Sequence, residues 1–551
     1  MTSAATNVGS EVGSAANVAP VESNGLGKKR RALGVNYRFK NNKKQKTVGP
    51  LVKQGSNDEV LAADIQALIQ RLSLSANEKP AENGSNTLPE PFSEIELTVA
   101  EISSTGDGLA MGPNSDHVYI VPFTSPGDKV KAKVIKHFEK DKYSLTDFLE
   151  VIQPGEQRDD SLINCQYFAT CSGCQFQMLP YSFQLAHKKT IVEKAYKNFS
   201  ELDSSLVPAV QDTIGSPLQY GYRTKLTPHF DGPPDGRRNR RHGVKSTWPA
   251  VPPIGFMKKG TRHTIDIEDC PIGTEAVRKG MARERKRVAE TIDTYQRGAT
   301  LLLRENTERV PRGTEVTDSE AVTEDRGENI HVKTCITKQT AVSTEWIDDF
   351  VFTNPAGAFF QNNNSILPVF TQYIRDRILP PEPHQISNLI DAYSGSGLFT
   401  ITLSSLFKKS LGIDISSSSI SFASENAKAN NLDPSHASFI AADASNLFAS
   451  ITFPANETVV VIDPPRKGCD ESFLKQLLQY APERVIYVSC NVHTQARDVG
   501  VLVKGMAGVD GGNGEGEGVY EIESLRGFDF FPQTGHVEGV AVLRKKGVGK
   551  V

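Results

Sequence analysis

From Phe352 to its end, the chain alternates short apolar segments with amphipathic ones, and this alternation constrains the fold more than any other feature. The apolar segments have the length of buried strands, and the first five are followed by small-residue turns and helical segments such as SSSISFASENAKANN. The strand candidates are ISNLIDAY, KSLGIDI, ASFIAAD, TVVVIDPP, RVIYVSC, YEIESLRGFDFF and HVEGVAVLRK. The repeat predicts an α/β domain over residues 349–551, with a parallel sheet between two helical layers. Because the last two strands lie close together in sequence, we expect the final strand to run antiparallel.

Residues 1–87 have a different composition, rich in Ser, Ala, Asn and Gly with few aromatic residues, which is typical of a disordered tail. Within this tail, Lys28–Lys46 is strongly basic and has no acidic residue. The segment could be a nuclear address, an RNA-binding arm or a solvated tail. One helix is predicted over Asp58–Leu74, where apolar residues recur at helical spacing.

Residues 88–157 predict a small β-barrel, because EIELTVAEISSTGDGLAM, HVYIVPF and DKVKAKVIKHFEKDKYSLTDFLEVI alternate polar and apolar residues between Gly-Asp and Pro-Gly turns. Lysines follow its second half, at Lys129, Lys131, Lys133, Lys136, Lys140 and Lys142. A basic barrel suits RNA, although a solvated strand face would have the same pattern.

Residues 158–348 form a central region that contains four cysteines and a basic stretch, GYRTKLTPHFDGPPDGRRNRRHGVK. Its arginines lie beside Pro-Gly-rich sequence and could contact phosphates or belong to an exposed insertion. They are Arg237, Arg238, Arg240 and Arg241.

Bulk properties exclude little beyond membrane and secretory classes. No apolar run reaches the roughly 18 residues of a membrane span, and no signal-peptide pattern follows the start. The formal net charge of -3 gives no indication of nucleic-acid binding, so evidence for such binding must come from the local distribution of charge. The seven cysteines favour metal binding or catalysis over a disulfide framework in a chain of this size.

A glycine-rich turn, DAYSGSGLFT, follows the first strand of the α/β domain and predicts a ligand site. Gly395 and Gly397 match the first two glycines of a dinucleotide fingerprint, but Thr400 occupies the third position. The chain also has no P-loop Lys-Ser/Thr here. The ligand is therefore expected to be neither a dinucleotide nor ATP.

Acidic residues end the next strands. Asp414 can accept hydrogen bonds from ribose hydroxyls, and Asp443 can bond an adenine amino group. A ribose and an adenine without pyrophosphate describe S-adenosylmethionine. Asp463 follows in DPPRKG, where two prolines stiffen the loop at the carboxyl end of the fourth strand.

Cys490 ends the fifth strand and Glu538 begins the last one, and this pair fits methylation of uracil at C5. A thiolate that adds to C6 makes C5 nucleophilic toward a sulfonium methyl group, and a base must then remove the C5 proton. A positive charge should lower the pKa of the thiol, and Arg466 is the nearest candidate.

In these motifs the catalytic half resembles the RNA uracil-5-methyltransferase family, and the tRNA (uracil-5-)-methyltransferases in particular. The matching segments, in the family's order, are FFQNN, DAYSGSG, GIDIS, VIDPPRKG, SCN and FPQTGHVE. The barrel resembles a TRAM domain through DGLAM, VPF and GDKVKAKV, and QYGYRTKL is similar to the family's central domain.

The resemblance implies a Rossmann-like class I methyltransferase domain with a central α+β region and an N-terminal TRAM β-barrel. It implies Cys490 as the nucleophile and Glu538 as the base. The residues implied to bind S-adenosylmethionine are Gln361, Tyr393, Asp414 and Asp463. Of these, only Gln361 and Tyr393 do not follow from the residues alone.

Four of the cysteines have the spacing of a metal site, with Cys165, Cys171 and Cys174 in NCQYFATCSGCQFQ and Cys270 in EDCPIG. Four thiolates can hold a [4Fe–4S] cluster, and a Cys-Pro ligand is common in such sites. Zinc or no metal remain alternatives. The spacing resembles the cluster of the ribosomal-RNA branch of the family, and its role would be structural.

The resulting hypothesis is an S-adenosylmethionine-dependent methyltransferase that acts on the T-loop uridine, position 54, of transfer RNA. The alternatives are a ribosomal-RNA uridine methyltransferase, an RNA-binding or folding factor, and a nuclease, which would need clustered carboxylates on metal ions. Transfer RNA is the expected partner, and no membrane or obligate protein partner is indicated. The expected location is the nucleus, the cytoplasm or both, with mitochondria not excluded.

Overall fold

A computed structural model describes residues 54–75, 87–112, 117–236, 242, 244–443, 447–448, 451–506 and 518–547. The basic segment Lys28–Lys46 and the arginines of the central insertion lie outside these residues. The first described helix is α1, Asn57–Ser75, over the segment where the sequence predicts one. No described helix combines the length and the apolar character that crossing a membrane requires.

The predicted barrel is confirmed as a closed barrel of five strands, in the order β1-β2-β3-β5-β4. Its strands are β1 Glu94–Ile102, β2 Gly108–Met111, β3 Val118–Val121, β4 Lys129–Phe138 and β5 Tyr143–Gln153. In β4, Val130, Ala132 and Val134 are buried while the lysines between them are half-buried or exposed. This period of two closes the core and directs the lysines outward.

The central region folds into two four-stranded sheets and a hairpin, with strand orders β10-β9-β8-β11, β13-β14-β12-β7 and β15-β16. The first six strands of this region are β6 Gln211–Ile214, β7 Lys225–Leu226, β8 His229–Phe230, β9 Gly255–Met257, β10 Thr264–Asp266 and β11 Ala299–Thr300. The remaining strands are β12 Leu303–Pro311, β13 Val322–Arg326, β14 Asn329–Ile336, β15 Val342–Ile347 and β16 Phe350–Pro355. The helices of this region are α2 Tyr181–Phe199 and α3 Glu275–Thr291.

The α/β domain contains an eight-stranded sheet in the order β19-β18-β17-β20-β21-β23-β22-β6. Its own strands are β17 Asn388–Ala392, β18 Lys409–Asp414, β19 Ala437–Ala441, β20 Thr458–Ile462, β21 Arg484–Ser489, β22 Tyr520–Phe528 and β23 Glu538–Lys545. Its helices are α4 Leu367–Ile378, α5 Leu398–Leu403, α6 Ser417–Ala429, α7 Glu471–Tyr480 and α8 Val492–Lys504. The first five strands are parallel and β23 pairs antiparallel with β21, as predicted.

Two apolar cores lie on opposite faces of this sheet. Val460 and Ile462 of β20 belong to one core, whereas Val459 and Val461 belong to the other. The sequence of such a strand is apolar at nearly every position because both faces of the strand are buried. The strand order reverses between β17 and β20, and the carboxyl ends of parallel strands form a crevice at such a point.

The structure differs from the predicted organisation at one edge of this sheet. β6 belongs to the segment assigned to the central region, yet it pairs parallel with β22. α2 comes from the same segment and packs against α8, where Tyr196 and Val499 share an apolar core. Residues Val52–Val551 form one compact unit, so the boundaries at 88, 158 and 349 stay predictions within it.

Candidate active site

A cavity of about 870 Å³ lies at the carboxyl ends of the parallel strands. All six residues that the sequence assigned to catalysis or cofactor binding line it, and so does the carboxylate after β19. These residues are Gln361, Tyr393, Asp414, Asp443, Asp463, Cys490 and Glu538. The structure therefore brings together residues from seven separate segments of the sequence.

The glycine-rich turn after β17 forms one wall of this cavity. Tyr393, Gly395 and Gly397 have φ angles of 66°, 54° and 92°, which lie in the left-handed region. The buried Asp391 carboxylate accepts hydrogen bonds from the Thr400 N–H at 2.9 Å and from its hydroxyl at 2.7 Å. Thr400, which replaces the third glycine of a dinucleotide fingerprint, thus ties the first turn of α5 to the end of β17.

The donors and acceptors beside this turn fit an adenosyl group. Asp414 already accepts hydrogen bonds from the Gly395 N–H at 3.0 Å and the Ser416 N–H at 2.8 Å, which orient its carboxylate. A carboxylate has about four lone-pair sites, so two remain for ribose hydroxyls. Ser394 also lines the cavity, and its buried hydroxyl oxygen has no hydrogen-bond partner among the described residues.

Two loops at the far end of the cavity are bonded to each other. The first follows β20 and contains Asp463 and Arg466, and the second follows β21 and contains Cys490. The Asn491 side-chain amide donates to the Arg466 carbonyl at 3.0 Å, and the Thr494 hydroxyl donates to the same oxygen at 3.2 Å. The position of Cys490 relative to Arg466 is therefore set by side chains rather than by the strands alone.

The Cys490 thiol lies in an environment that disfavours its negative form. Burial raises the pKa of Cys490 to about 12, and the charges of Glu538 and Asp463 act in the same direction. Arg466 lowers the pKa of Cys490 through its charge and a hydrogen bond. Arg466 therefore supplies the positive charge that the sequence analysis expected beside this thiol.

Two carboxyl groups beside the thiol are also shifted. Glu538 is only 1% exposed, and burial, followed by the charge of Asp463, raises the pKa of Glu538 well above its usual range. Burial and the charge of Asp391 raise the pKa of Asp463 to about 7. The site thus disfavours accumulated negative charge, and a ligand that carries positive charge would stabilise these carboxylates.

The loop FFQNN is fixed by contacts that the sequence could not predict. Asn362 accepts a hydrogen bond from Arg304 of β12 at 3.0 Å, and the Asn363 amide donates to the Phe530 carbonyl at 3.2 Å. Gln361 directly precedes these two anchored residues and lines the cavity. Arg223, in the quoted segment QYGYRTKL, lines the cavity as well, although the sequence analysis did not name it as a site residue.

A buried ion pair supports the segment that leads to Glu538. Lys188 of α2 pairs with Asp529, and neither side chain is exposed. The Lys188 ammonium also donates to the Phe531 carbonyl at 3.0 Å, and the Tyr181 hydroxyl donates to Asp529 at 2.9 Å. These contacts connect α2 to the residues that precede β23.

Lys188→Met is expected to lower the free energy of unfolding by about 3–5 kcal/mol, because the buried Asp529 carboxylate would lose its counter-charge. Urea denaturation followed by circular dichroism measures this change. Lys189→Met is the matched control, since Lys189 pairs with the exposed Asp212 and should change stability by less than about 1 kcal/mol. Equal stability losses in the two variants would contradict the prediction.

The four cysteines predicted to bind a metal are neighbours in the structure. Burial raises the pKa of Cys270, and the charges of Cys174, Cys171 and Cys165 each add to this effect. Among the residues that the structure describes, however, no three His, Cys, Asp or Glu side chains are arranged to hold a metal ion. Burial raises the pKa of each of the four thiols, so a bound metal would have to displace their protons. In the described structure the four thiols are neighbours, but they do not converge on one ion.

Comparison with known proteins agrees with the geometry. The family model described as tRNA (Uracil-5-)-methyltransferase matches residues 316–546. A Schizosaccharomyces pombe protein named tRNA (uracil(54)-C(5))-methyltransferase is 46% identical over 90% of this chain and 84% of its own length. The Saccharomyces cerevisiae protein of the same name is 38% identical over 93% of this chain and 84% of its own length.

Among solved structures, the chain is similar to a Pyrococcus abyssi tRNA (uracil-54, C5)-methyltransferase in complex with S-adenosyl-L-homocysteine. The TM-score is 0.56 and the identity 22%, over 82% of this chain and 100% of that chain. This likeness supports the fold.

The Rossmann-like sheet, its glycine-rich turn and the acidic residues at successive strand ends define an S-adenosylmethionine-dependent methyltransferase. At the identity and coverage of the two fungal relatives, this chain belongs to the tRNA (uracil-5-)-methyltransferase family.

Proposed function

We propose that this protein methylates C5 of uridine 54 in the T-loop of transfer RNA, using S-adenosylmethionine. The observation that carries the proposal is the shared cavity, which Cys490 and Glu538 line together with Asp414 and Asp463. The names of the two fungal relatives support the target nucleotide. The uridine has to leave its base stack to reach such a cavity, as it does for other enzymes that modify bases.

The proposed reaction assigns one step to each group. The Cys490 thiolate bonds to C6 of uracil, and the electron pair of the C5–C6 double bond moves toward the carbonyl at C4. Bound S-adenosylmethionine would supply an electrophilic methyl group; C5 would bond to it as the bond from the methyl carbon to the sulfonium sulfur breaks, which leaves that sulfur as a neutral thioether. Glu538 then removes the C5 proton, the double bond forms again, and the thiolate leaves C6. Arg466 stabilises the thiolate before the first step and after the last.

The test uses an unmodified transfer-RNA transcript, S-adenosylmethionine and the full-length protein, with the product mapped by mass spectrometry. We expect one methyl group at uridine 54 and none on a transcript that carries cytidine there. Methylation of ribosomal RNA but not of transfer RNA would assign the protein to the ribosomal-RNA branch of the family, whose cysteine spacing this chain resembles. No methylation of either RNA would leave the binding-factor or nuclease hypotheses.

We propose that Asp414 binds the ribose of the cofactor. Asp414→Ala should weaken S-adenosylmethionine binding by at least about 10-fold, because even one lost hydrogen bond to a charged group costs about 1.5–3 kcal/mol. Isothermal titration calorimetry measures this without RNA. Asp433→Ala, a surface change in the loop after α6, is the control and should bind the cofactor as the parental protein does. Unchanged affinity in Asp414→Ala would remove this residue from the cofactor site.

We propose that the barrel acts as a TRAM-like RNA-binding module. Lys129 and Lys131 pair with glutamates of β1, so they are poor candidates for phosphate contacts. Lys136, by contrast, lies 4.3 Å from the centre of the Phe138 ring, which stacks on Tyr143. A cation beside stacked aromatic rings is typical of surfaces that bind unpaired bases.

We propose that the cysteine quartet holds a [4Fe–4S] cluster with a structural role. Its donor chemistry fits, since four free thiols lie near one another and the Cys171 sulfur already accepts a hydrogen bond from the Gly173 N–H. Protein purified without oxygen should then be brown and contain iron, and Cys171→Ala should lose both properties. Cys335→Ala, a thiol outside the quartet, should keep them. Colourless protein with stoichiometric zinc would contradict the cluster.

A further inference from the structure

Residues 55–75, within the first described segment, contact three parts of the molecule that lie far apart in the sequence. One face of α1 packs on the outside of the barrel. The apolar cluster there is formed by Ile65, Leu68, Leu109, Val118 and Ile120. Burial of these side chains anchors α1 on the barrel.

Polar contacts bind the same helix to α2. Asp64 is only 1% exposed, and its carboxylate accepts a hydrogen bond from the Ser104 N–H and lies 3.7 Å from the Lys194 ammonium of α2. Lys194 also pairs with Glu101 of β1 at 3.2 Å, and Arg71 of α1 reaches the same carboxylate at 2.5 Å. α1 therefore lies in the junction between the barrel and α2.

The start of the helix is a fixed turn that reaches the nucleophile loop. The Glu59 carboxylate accepts a hydrogen bond from the Gly55 N–H at 2.6 Å, and the Ser56 hydroxyl accepts one from the Glu59 N–H at 3.3 Å. This reciprocal pattern is close to a capping box. The Gly55 carbonyl, turned by a φ of 70°, accepts a hydrogen bond from the Asn491 side chain at 3.2 Å.

Asn491 therefore holds two carbonyl groups at once, those of Gly55 and Arg466, and it directly follows Cys490. A second cavity of about 180 Å³ lies between the start of α1 and these loops, and Cys490 and Arg466 line both cavities. A Cβ atom at position 55 would lie 2.4 Å from Cγ2 of Thr494. The contact leaves room only for glycine.

We propose that residues 55–75 are a positioning element of the active site. The barrel and α2 hold α1 in place, α1 holds the Gly55 carbonyl against Asn491, and Asn491 keeps Cys490 and Arg466 in register. The element touches neither the reacting base nor the cofactor, so it acts through the nucleophile loop. Its effect on methyl transfer rests on the proposed function, whereas its effect on the Cys490 thiol does not.

Gly55→Val in the full-length protein tests the element, because a branched side chain cannot occupy this position. We expect single-turnover methyl transfer to fall roughly 10- to 100-fold, since small misplacements of reacting groups have effects of this size. Affinity for S-adenosylmethionine should not change. Alkylation of Cys490 by iodoacetamide, followed by mass spectrometry, should become several-fold faster because the loop is released. Alkylation of the buried Cys469 should not change, which separates local release from unfolding.

A second variant, Leu68→Ala, weakens the contact of the same element with the barrel. It should also slow methyl transfer and accelerate Cys490 alkylation, by smaller factors, while cofactor affinity and Cys469 alkylation stay unchanged. Gln66→Ala, an exposed change on the same helix, is the matched control and should behave as the parental protein. Unchanged Cys490 alkylation in both variants would overturn the proposal. Parallel acceleration at Cys469, or lost cofactor binding, would also overturn it, because α1 would then stabilise the fold in general.

Failure of the proposed function gives a different result. In that case the parental protein methylates no transfer RNA, while the contrast between Cys490 and Cys469 alkylation still appears in the variants. The positioning role of residues 55–75 would then be retained, and the proposal that transfer RNA is the substrate would be rejected.

Discussion

Cys490→Ala is expected to lower the rate of methyl transfer to transfer RNA by at least about 10⁴-fold, a loss typical of removing a catalytic nucleophile. C5 of uracil is a poor nucleophile until a bond forms at C6, and among the described residues that line the cavity Cys490 supplies the only thiol. Affinity for S-adenosylmethionine should remain, because Asp414 and the glycine-rich turn lie on other strands. Single-turnover assays with radioactive cofactor, beside calorimetric titration of the cofactor, separate the two effects.

Cys335→Ala is the matched control, since Cys335 is a half-buried thiol of β14 outside this cavity. It should methylate at the parental rate. Residual methylation by Cys490→Ala above about 1% of the parental rate would point to direct attack by C5 and contradict covalent catalysis.

The same thiol predicts a pH dependence. Burial and two neighbouring carboxylates raise the pKa of Cys490 to about 12, so the thiolate fraction is small at neutral pH and grows as pH rises. Bond formation to RNA that carries 5-fluorouridine should therefore accelerate toward alkaline pH. Arg466→Ala should slow it at every pH, because the positive charge that lowers the pKa of Cys490 is removed. A flat profile in the parental protein would mean that thiolate formation does not limit the step.

Glu538→Gln is expected to trap a covalent protein–RNA adduct, because the methyl group can be added but the C5 proton cannot be removed. Turnover should fall about 10²- to 10⁴-fold, the range usual for a general base. The adduct should survive denaturing gel electrophoresis and contain one methyl group. Burial and the charge of Asp463 raise the pKa of Glu538, so release by the parental enzyme should also quicken as pH rises.

Two controls test this interpretation. Glu521→Gln on the neighbouring strand β22 removes a surface carboxylate that pairs with Arg544, and it should turn over normally without an adduct. The double variant Cys490→Ala, Glu538→Gln should form no adduct, since the bond needs the thiol. If Glu538→Gln keeps the cofactor bound and shows neither an adduct nor a slower turnover, another group removes the proton.

The sequence predicted the part of the site that depends on strand ends. Carboxyl ends of parallel strands meet at one edge, so Asp414, Asp463 and Cys490 had to approach each other once the five strands were recognised. Asp391 and Thr400 illustrate the limit of this reasoning. The missing third glycine indicated only that the ligand is not a dinucleotide. The hydrogen bonds by which Thr400 fixes the turn became visible only in the structure.

Other parts depend on contacts between distant segments, which a single sequence does not record. Gln361 lies in a loop anchored by Arg304, and Tyr393 lines the cavity through a positive φ that no sequence pattern indicates for tyrosine. The cysteine spacing predicted four neighbouring thiols, but not whether their side chains converge on one ion. The Lys188–Asp529 pair joins residues 341 positions apart and had no local signal.

The pairing of β6 with β22 means that the catalytic half of this chain is not a separable module. A protein that began at residue 349 would keep the pairing of β22 with β23 but leave the other edge of β22 unpaired, and it would uncover the apolar side of α8 that faces α2. Unpaired edge strands promote association between chains. The enzyme therefore completes its catalytic sheet with a strand synthesised more than a hundred residues earlier. During synthesis, β6 emerges first and can pair only after β22 has been made. Insertions between β6 and β22 are therefore restricted to loops that still allow the two strands to pair.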